Sequence, residues 1–281
     1  MAAEDRSTER MNRTLLNHTV WMAPLMAATL LCGCQSSQGD RSRSLPEAHP
    51  PTQDQKIANT ALSLHLKLID GDDTTASFYM SDHEIDWDVF DAFVFELDEL
   101  PVKGMPEAET RPTRPYMLVD RGFGHAGYPA ISMSQRGAEA FCLWLSETSG
   151  RTYRLPTISE WTLACTRGGI SNADMAEYAW FEDNAEGTTH PIGTKSPDAN
   201  GLHDLHGNVA EWATEPNGSG VVMGGSFISP RNELTCTSFQ PYTRDWNESD
   251  PQIPKSIWWL ADGAFIGFRV VHVPTSQMEQ P

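Results

Sequence analysis

The segment from Gly201 to Trp212 constrains the fold of this chain more than any other. It reads Gly-Leu-His-Asp-Leu-His-Gly-Asn-Val-Ala-Glu-Trp, and it lies in a region, from Gly168 to the C-terminus, that is rich in Gly, Pro, Asn and Asp. Loops of that length inside a compact domain need ties beyond secondary structure, and a bound metal ion is one way to supply them. We therefore expect a domain with much irregular structure.

Four positions of this segment have the makings of a calcium site. Asp204 and Glu211 supply two carboxylates, and Gly207 and Val209 supply two backbone carbonyls, all within eight residues. Ca²⁺ takes six or more oxygen ligands, and glycine lets the chain turn so that carbonyls point inward. A carboxylate pair without a basic partner is costly unless it is neutralised. The segment predicts a structural calcium ion, and the alternative is an acidic turn without an ion.

The same segment contains two histidines. His203 and His206 are three residues apart and, with Asp204 and Glu211, suggest zinc. Zinc sites usually have three or four committed ligands, so this interpretation is weaker than calcium. The default for both histidines is a surface or hydrogen-bonding role.

The N-terminus has the features of an export signal. Arg13 precedes an apolar run from Val20 to Leu31, which is too short to span a bilayer. The charged start, the short apolar run and the small residues that follow are typical of a secretory signal. The ending Leu-Cys-Gly-Cys resembles a bacterial lipobox. Residues 1–33 are predicted to be a signal peptide and Cys34 the lipidated residue; an ordinary signal peptide or a short anchor is the alternative.

The predicted location is outside the cytoplasm. Gln35 follows Cys34 in place of the Asp that often retains lipoproteins in the inner membrane. We therefore expect an exported, membrane-anchored lipoprotein at the outer membrane or the periplasmic face. Residues 34–59, rich in Ser, Gln, Pro and charge, are predicted to be a flexible tether. Residues 60–281 then suffice for one domain with a sizeable core.

The chain is strongly acidic. It has 38 Asp and Glu against 20 Lys and Arg, for a net charge of −18. Such a balance argues against nucleic acid or an anionic lipid surface as a direct partner, and it suits divalent cations. Contact with a membrane is expected through the lipid anchor alone.

The number of cysteines limits how many disulfide bonds the domain can form. Cleavage at the lipobox and lipidation leave Cys142, Cys165 and Cys236, so the exported domain has at most one disulfide and one free thiol. Cys142 and Cys165 lie among apolar residues of predicted helices. We interpret both as buried small hydrophobic side chains.

Apolar periodicity predicts a mixed α and β domain. Leu62 to Ile69 alternates as a half-buried strand, and Ser134 to Thr148 has the spacing of an amphipathic helix with Gly150 as its C-cap. Thr157 to Glu160 fits a capping box at the start of another helix. The remaining predictions are a strand at 76–80, a helix at 87–97, a loop at 101–129, and strands at 221–223 and 265–273.

Charged and aromatic residues inside apolar runs are predicted to be structural. Arg154 and Arg269 each lie in such a run, so we expect them to pair with carboxylates or to bind backbone carbonyls. Five tryptophans could line a pocket but more often belong to a core or its rim: Trp180, Trp212, Trp246, Trp258 and Trp259.

Four signatures follow one another along the chain. They are Tyr153 to Trp161, Gly201 to Trp212, Gly224-Gly225-Ser226-Phe227, and Gly267 to Val271. In this order they resemble the formylglycine-generating enzyme family, also called sulfatase-modifying factors. The resemblance extends from about Phe78 to Val273. It implies an α+β fold of the irregular mixed type related to C-type lectins, with much coil, and it places calcium on the four positions named above.

The resemblance also implies a copper centre, and here the sequence departs from the family. Formylglycine-generating enzymes have two cysteines, five residues apart, that bind copper(I) after the Gly-Gly-Ser-aromatic signature. Counting from Gly224, these positions hold Ser229 and Leu234, and Cys236 lies two residues further on. Ser226 matches an active-site serine of the family, although a structural turn is the favoured role. Ser226 and Cys236 remain the catalytic candidates, and copper is doubtful.

Three functions are compatible with these observations. The first is a binding or scaffold module that holds an envelope protein, a peptide or a glycan, with calcium only structural. The second is an oxidase that converts a target cysteine, typically in a sulfatase, to formylglycine. The third is a metal-dependent enzyme that acts on a small secreted metabolite. The missing thiol pair favours the first, since fold does not fix function.

Overall fold

Two β-sheets organise the described part of the chain, residues 51–97, 111–112 and 119–274 of this computed structural model. In chain order the elements are β1 (Thr52–Lys56), β2 (Ser63–Ile69), β3 (Phe78–Ser81), α1 (Trp87–Val94), α2 (Gln135–Ser149), β4 (Tyr153–Arg154), α3 (Ile158–Gly168), α4 (Met175–Tyr178), β5 (Ala210–Thr214), β6 (Gly220–Met223), β7 (Phe239–Pro241), β8 (Ile266–Gly267) and β9 (Val271–His272). Short 3₁₀ turns at Arg231–Glu233 and Arg244–Asn247 flank β7.

The larger sheet has the strand order β1-β2-β3-β9-β4, with every pair antiparallel. β2 confirms the strand predicted from the alternating leucines, since Leu64 and Leu66 are completely buried. The smaller sheet has the order β7-β6-β5-β8, and only its β5–β8 pair is parallel. Helices α1 to α4 and long stretches of coil connect the strands of these two small sheets, which is the α+β architecture that the sequence predicts.

Strand β1 lies inside the segment 34–59 that the sequence predicts as a tether. Thr52 to Lys56 pair with Lys67 to Ser63 of β2, so folded structure begins before residue 60. Gln55 is buried and accepts hydrogen bonds from the Arg151 guanidinium at 3.1 Å and the Tyr153 hydroxyl at 2.9 Å. The strand escaped prediction because its own residues are polar. Residues 1–50, with the predicted signal peptide, lie outside the described residues.

The predicted strand at 265–273 is wrong as a single element. Ile266–Gly267 belongs to the smaller sheet and Val271–His272 to the larger one. Arg269, between them, turns its side chain into a buried ion pair. This stretch therefore joins the two sheets.

The helix signals of the sequence are confirmed at their N-termini. Ser134 caps α2 and Thr157 caps α3, where Glu160 completes the capping box. Gly150 follows α2 with φ 70°, the left-handed conformation expected of a glycine C-cap. Helix α1 ends at Val94, three residues before the predicted end.

The principal hydrophobic core lies against α1 and α2. Phe90, Phe141 and Phe268 have ring centroids 5.3–5.8 Å apart. Four of the five tryptophans interpreted as core or rim are buried: Trp212, Trp246, Trp258 and Trp259. Trp180 is half-buried instead and stacks on His190.

Within the described residues, no helix is long and apolar enough to cross a bilayer. Of the loop predicted at 101–129, residues 101–110 and 113–118 lie outside the described residues. Residues 119–129 contain turns and no helix or extended strand.

Candidate functional site

The segment from Gly201 to Val209 threads between two other loops. The Gly207 N–H donates to the Gly224 carbonyl at 3.1 Å, and the Asn208 N–H donates to the Trp180 carbonyl at 2.7 Å. Gly207 has φ +78°, and a Cβ at this position would collide with the Trp180 carbonyl oxygen. Only glycine fits this crossing. The crossing joins the second signature of the sequence to the third, at Gly224 to Phe227.

Glu211 and Arg269 form a completely buried ion pair at the centre of this region. The Arg269 Nε lies 2.8 and 2.7 Å from the two Glu211 carboxylate oxygens, and Nη2 donates to Oε1 at 2.6 Å. The Trp161 indole N–H donates to Glu211 Oε2 at 2.7 Å. Arg269 also donates to the carbonyls of Ser81 and His203. The role predicted for Arg269 is confirmed.

Arg154 also has the predicted carboxylate partner. Its two terminal nitrogens each donate to one Glu160 oxygen at 2.7 Å. The Arg154 side chain is 41% exposed, so this ion pair lies at the protein surface, beside the capping box, and not in the core.

Further carboxylates surround the central ion pair. Glu84 is completely buried, and neither of its oxygens has a hydrogen-bond partner. Burial, followed by the charges of Asp204 and Glu211, raises the pKa of Glu84 well above its ordinary value. Burial also raises the pKa of Asp204, whose Oδ2 accepts the Gly193 N–H at 2.7 Å and whose Oδ1 is unpaired. One arginine thus faces three buried acids.

The four calcium positions fit a cation only in part. The unpaired Asp204 Oδ1 is an available hard oxygen, and the excess of buried acids favours a positive ion nearby. Both Glu211 oxygens, in contrast, are already bonded to Arg269 and Trp161. Calcium on Asp204, Gly207, Val209 and Glu211 therefore stays a prediction.

The structure corrects the interpretation of two cysteines. Cys165, in α3, is bonded to Cys236, in the loop before β7, across 71 residues. Cys165 is therefore not a free hydrophobic thiol, and Cys236 has a partner that lay too far along the chain for sequence reasoning to find. Cys142 is free and buried, as expected, and burial raises the pKa of its thiol.

His206 lies against this disulfide. Its Nε2 is 3.3 Å from Cys165 Sγ and 3.9 Å from Cys236 Sγ. Only 3% of the residue is exposed, and Nδ1 has no hydrogen-bond partner. Burial lowers the pKa of His206 to about 4, so the imidazole is neutral near pH 7. His206 is thus neither a surface residue nor one with a protein oxygen as partner.

The two histidines of the segment point to different places. The His203 Nδ1 lies 2.9 Å from the Lys195 carbonyl, and the His206 Nε2 faces the sulfurs. Within the described residues, the only cluster of three or more potential side-chain metal ligands is Cys165, His206 and Cys236. The grouping of His203 and His206 with Asp204 and Glu211 does not form.

A cavity of about 280 Å³ opens beside the Gly-Gly-Ser signature. The Ser226 N–H donates to the Ser229 Oγ at 3.0 Å, and the Ser229 N–H donates to the Ser226 carbonyl at 2.9 Å. This reciprocal turn supports the structural role favoured for Ser226. The walls of the cavity include Ser226, Ser229, Glu233, Ser238, Phe239 and Gln240.

The two positions at which the resemblance implies copper ligands meet at Gly225, where Ser229 lines this cavity and Leu234 is buried behind it. A Cβ at Gly225 would lie 2.6 Å from Leu234 and 3.2 Å from Ser229, so both side chains pack against the same glycine. A hydroxyl and an aliphatic side chain do not bind copper(I), which prefers thiolates. The sulfur of Cys236 is held in the disulfide. The residues present at this cavity do not fit a copper centre.

Comparison with known proteins establishes the family. The model of the sulfatase-modifying factor enzyme 1-like domain matches residues 70–273. The chain belongs to this family. The family assignment and the mixed fold predicted from the four signatures are both confirmed.

Individual relatives differ in their stated activity. The formylglycine-generating enzyme of Thermomonospora curvata is 28% identical over 169 residues, which cover 44% of this chain and 52% of that protein. The inactive C-alpha-formylglycine-generating enzyme 2 of Mus musculus is 31% identical over 148 residues, 43% of this chain and 45% of that protein. The chain thus spans about half the length of these relatives.

Solved structures agree on the fold. Treponema denticola variable protein 1 superimposes with a TM-score of 0.58 at 16% identity, over 80% of this chain and all of that one. At this identity the likeness concerns the fold alone.

Sequence reasoning missed two parts of the site. Glu84 lies in the polar stretch from Ser81 to Asp86, and no pattern in this stretch of sequence indicates that its side chain is buried. The contact between His206 and the disulfide joins residues 30 to 71 positions apart. Both depend on how the loops cross.

Proposed function

We propose that this chain is a cell-envelope lipoprotein whose domain is a binding or scaffold module and not an oxidase. The observation that carries the proposal is that neither position at which the resemblance implies a copper ligand holds a cysteine. The two copper positions hold Ser229 and Leu234, and Cys236 is bonded to Cys165. Copper-dependent activation of oxygen needs soft ligands that these residues do not supply.

The fold tolerates the loss of activity in at least one relative, since the mouse protein is named as inactive.

The cavity retains features that suit binding. Phe239 is 49% exposed on its wall, beside the small polar side chains of Ser229, Ser238 and Gln240. An apolar face among hydrogen-bonding groups is the usual composition of a site for a peptide or a sugar. The proposed partner is an envelope protein, a peptide or a glycan.

The test is conversion of a cysteine-containing sulfatase-motif peptide, followed by mass spectrometry. The purified chain is incubated with copper(I), oxygen and a thiol reductant. We expect no aldehyde product from the wild type. The matched variant carries Ser229→Cys and Leu234→Cys, which restores two thiols that converge on Gly225. Product formed by the wild-type chain would overturn the proposal, and an authentic formylglycine-generating enzyme serves as the positive control.

The second candidate, oxidation of a target cysteine, retains the support of family membership. Ser226 lies in the cavity wall, where a peptide cysteine would enter. Activity of the double-cysteine variant alone would show that the peptide site persists and that only the metal ligands have been lost.

The lipid anchor is part of the same proposal, and the support for it comes from the lipobox-like ending at Cys34. Expression in a bacterium that processes lipoproteins, with labelled palmitate, should label the wild-type chain and place it in the membrane fraction. Cys34→Ala should remain unlabelled, whereas Cys32→Ala should still be labelled. Equal labelling of Cys34→Ala would contradict the assignment of the anchor.

A further inference from the structure

The cluster of Cys165, His206 and Cys236 lies outside the residues that line the cavity, and the proposed function gives no role to His206. The Nε2 of His206 and both sulfurs all lie within 4.8 Å of one another. The three residues come from helix α3, the Gly201–Val209 segment and the loop before β7. They meet only because the chain folds, so their convergence is a property of the tertiary structure.

A structural disulfide alone does not explain His206. Its ring is almost completely buried, and Nδ1 has no partner. Burying a polar group without a hydrogen bond costs free energy, and an aliphatic side chain among the surrounding apolar residues would avoid this cost. Two sulfurs and one imidazole nitrogen are, however, the ligand set of a zinc site with one open position.

We propose that reduced Cys165 and Cys236, together with the Nε2 of His206, bind one Zn²⁺ ion, so that the disulfide is the oxidised form of a zinc site. The carboxylate ligands that hard cations prefer are absent from this cluster, which separates it from the calcium positions. Thiolate and imidazole ligands suit zinc. The proposal does not depend on whether the domain is an oxidase.

The conversion between the two forms is balanced as follows. A dithiol reductant donates two electrons and two protons to the Cys165–Cys236 bond and itself becomes a disulfide, which leaves two cysteine thiols. Zn²⁺ then binds both sulfurs and displaces the two protons. In the reverse direction, an oxidised dithiol accepts two electrons from the thiolates and two protons from water, the sulfur–sulfur bond forms again and Zn²⁺ leaves. Zinc and the disulfide exclude each other.

The three residues of the cluster differ in exposure. Cys165 and His206 are buried, and Cys236 is partly exposed. A thiol reductant attacks a sulfur that it can reach, so reduction begins at Cys236.

The first test is zinc binding by the full chain, with Cys32→Ser and Cys34→Ser so that the N-terminal thiols do not compete. One sample is reduced with dithiothreitol and desalted without oxygen, and the other is kept oxidised. Zinc is titrated against a chromophoric chelator. We expect one tightly bound equivalent in the reduced sample and none in the oxidised sample, whose carboxylates are unchanged. Equal binding by the two samples would overturn the proposal.

The second test assigns the ligands. Cys236→Ser should weaken zinc binding at least about 100-fold, and His206→Gln at least about tenfold. Cys142→Ser removes a buried thiol outside the cluster and should leave affinity unchanged. Unchanged affinity in His206→Gln, or loss of binding in Cys142→Ser, would overturn the assignment.

A spectroscopic measurement covers the case in which a variant or the reduced chain fails to fold. Co²⁺ added to the reduced chain that carries Cys32→Ser and Cys34→Ser should give thiolate-to-cobalt charge-transfer absorption, and the oxidised form of the same chain should give none. If reduction unfolds the chain, added zinc should restore the circular dichroism of the folded state. Failure to restore it, or absence of the charge-transfer band, would show that the disulfide is purely structural.

Discussion

At the scale of single residues, the centre of this domain contains charged side chains that matter for stability because they are buried. Arg269 and Glu211 are both 0% exposed and satisfy each other. Glu84 and Asp204 add two more acids to the same region, with three carboxylate oxygens unpaired. A buried pair is worth little beyond its own desolvation cost, but removing one partner leaves an uncompensated charge.

Arg269→Met should therefore destabilise the fold strongly. We expect the free energy of unfolding to fall by about 3–5 kcal/mol, because Glu211 would be left buried and unpaired. Urea denaturation monitored by tryptophan fluorescence measures the loss. Arg231→Met is the control, since its ion pair with Asp183 is partly exposed and 3.9 Å long, and its cost should be about 1 kcal/mol or less. Similar losses in both variants would contradict the central role of the buried pair.

Glu84→Gln should stabilise the chain at neutral pH. The folded pKa of Glu84 lies above the ordinary value of 4.5, so between these values the folded state holds a proton that the unfolded state has released. The free energy of unfolding of the wild type then falls as pH rises through this window. Glutamine does not ionise, so above this window the variant should be more stable than the wild type by the free energy that the wild type loses there.

This gain is measured by urea unfolding in EDTA, so that no divalent cation masks the charge. The difference between Glu84→Gln and the wild type should be larger at about pH 7 than at about pH 4. Glu186→Gln, at an exposed position, provides the control. A difference that is the same at both pH values would show that the Glu84 carboxyl titrates alike in the folded and unfolded chains.

At the scale of secondary-structure elements, helices α1, α2 and α3 each begin at a residue whose side chain caps the first turn. Helix α3 carries both Cys165 and Trp161, the residues that reach the disulfide and the central ion pair. Its start is set by Thr157, whose Oγ1 accepts the Glu160 N–H, while the Glu160 carboxylate accepts the Thr157 N–H. The cap thus positions two parts of the site.

Thr157→Ala should lower the free energy of unfolding by about 1 kcal/mol, the usual cost of losing an N-cap hydroxyl. Ser159→Ala, in the exposed first turn of the same helix, should change stability by less than about half of that amount. Chemical denaturation of the two variants in parallel makes the comparison. Equal effects would mean that the capping box does not determine the helix start.

Some elements of this structure could be predicted from the sequence, and others could not. The capping box, the Gly150 C-cap and the alternating leucines of β2 were predictable because each depends on neighbours along the chain. β1 and the split of the stretch 265–273 were not, because both depend on which sheet a short segment joins. The disulfide and its contact with His206 were not predictable either, because they join segments that are far apart in the sequence.

At the scale of the whole molecule, the long coil is tied by the disulfide, by the central ion pair and, we propose, by calcium. Saturating Ca²⁺ at about 100 times its dissociation constant stabilises a folded state by about 2.7 kcal/mol, which corresponds to a rise in melting temperature of roughly 5–10 °C. We expect this rise for the wild type and its loss in Asp204→Asn. Asp183→Asn, at an exposed position, should retain it. Thermal unfolding in Ca²⁺ and in EDTA measures this difference. A wild-type melting temperature that is the same in both would contradict the calcium assignment.

Both the proposed function and the proposed zinc site depend on the bond between Cys165 and Cys236, since a sulfur held in a disulfide is not a free copper ligand. Peptide mapping by mass spectrometry tests it directly: the folded chain is alkylated, digested without reduction, and searched for linked peptides. We predict a Cys165–Cys236 cross-link and no alkylation at either residue until a reductant is added. Alkylation of Cys236 in the unreduced chain would contradict this disulfide and leave Cys236 available as a thiol ligand.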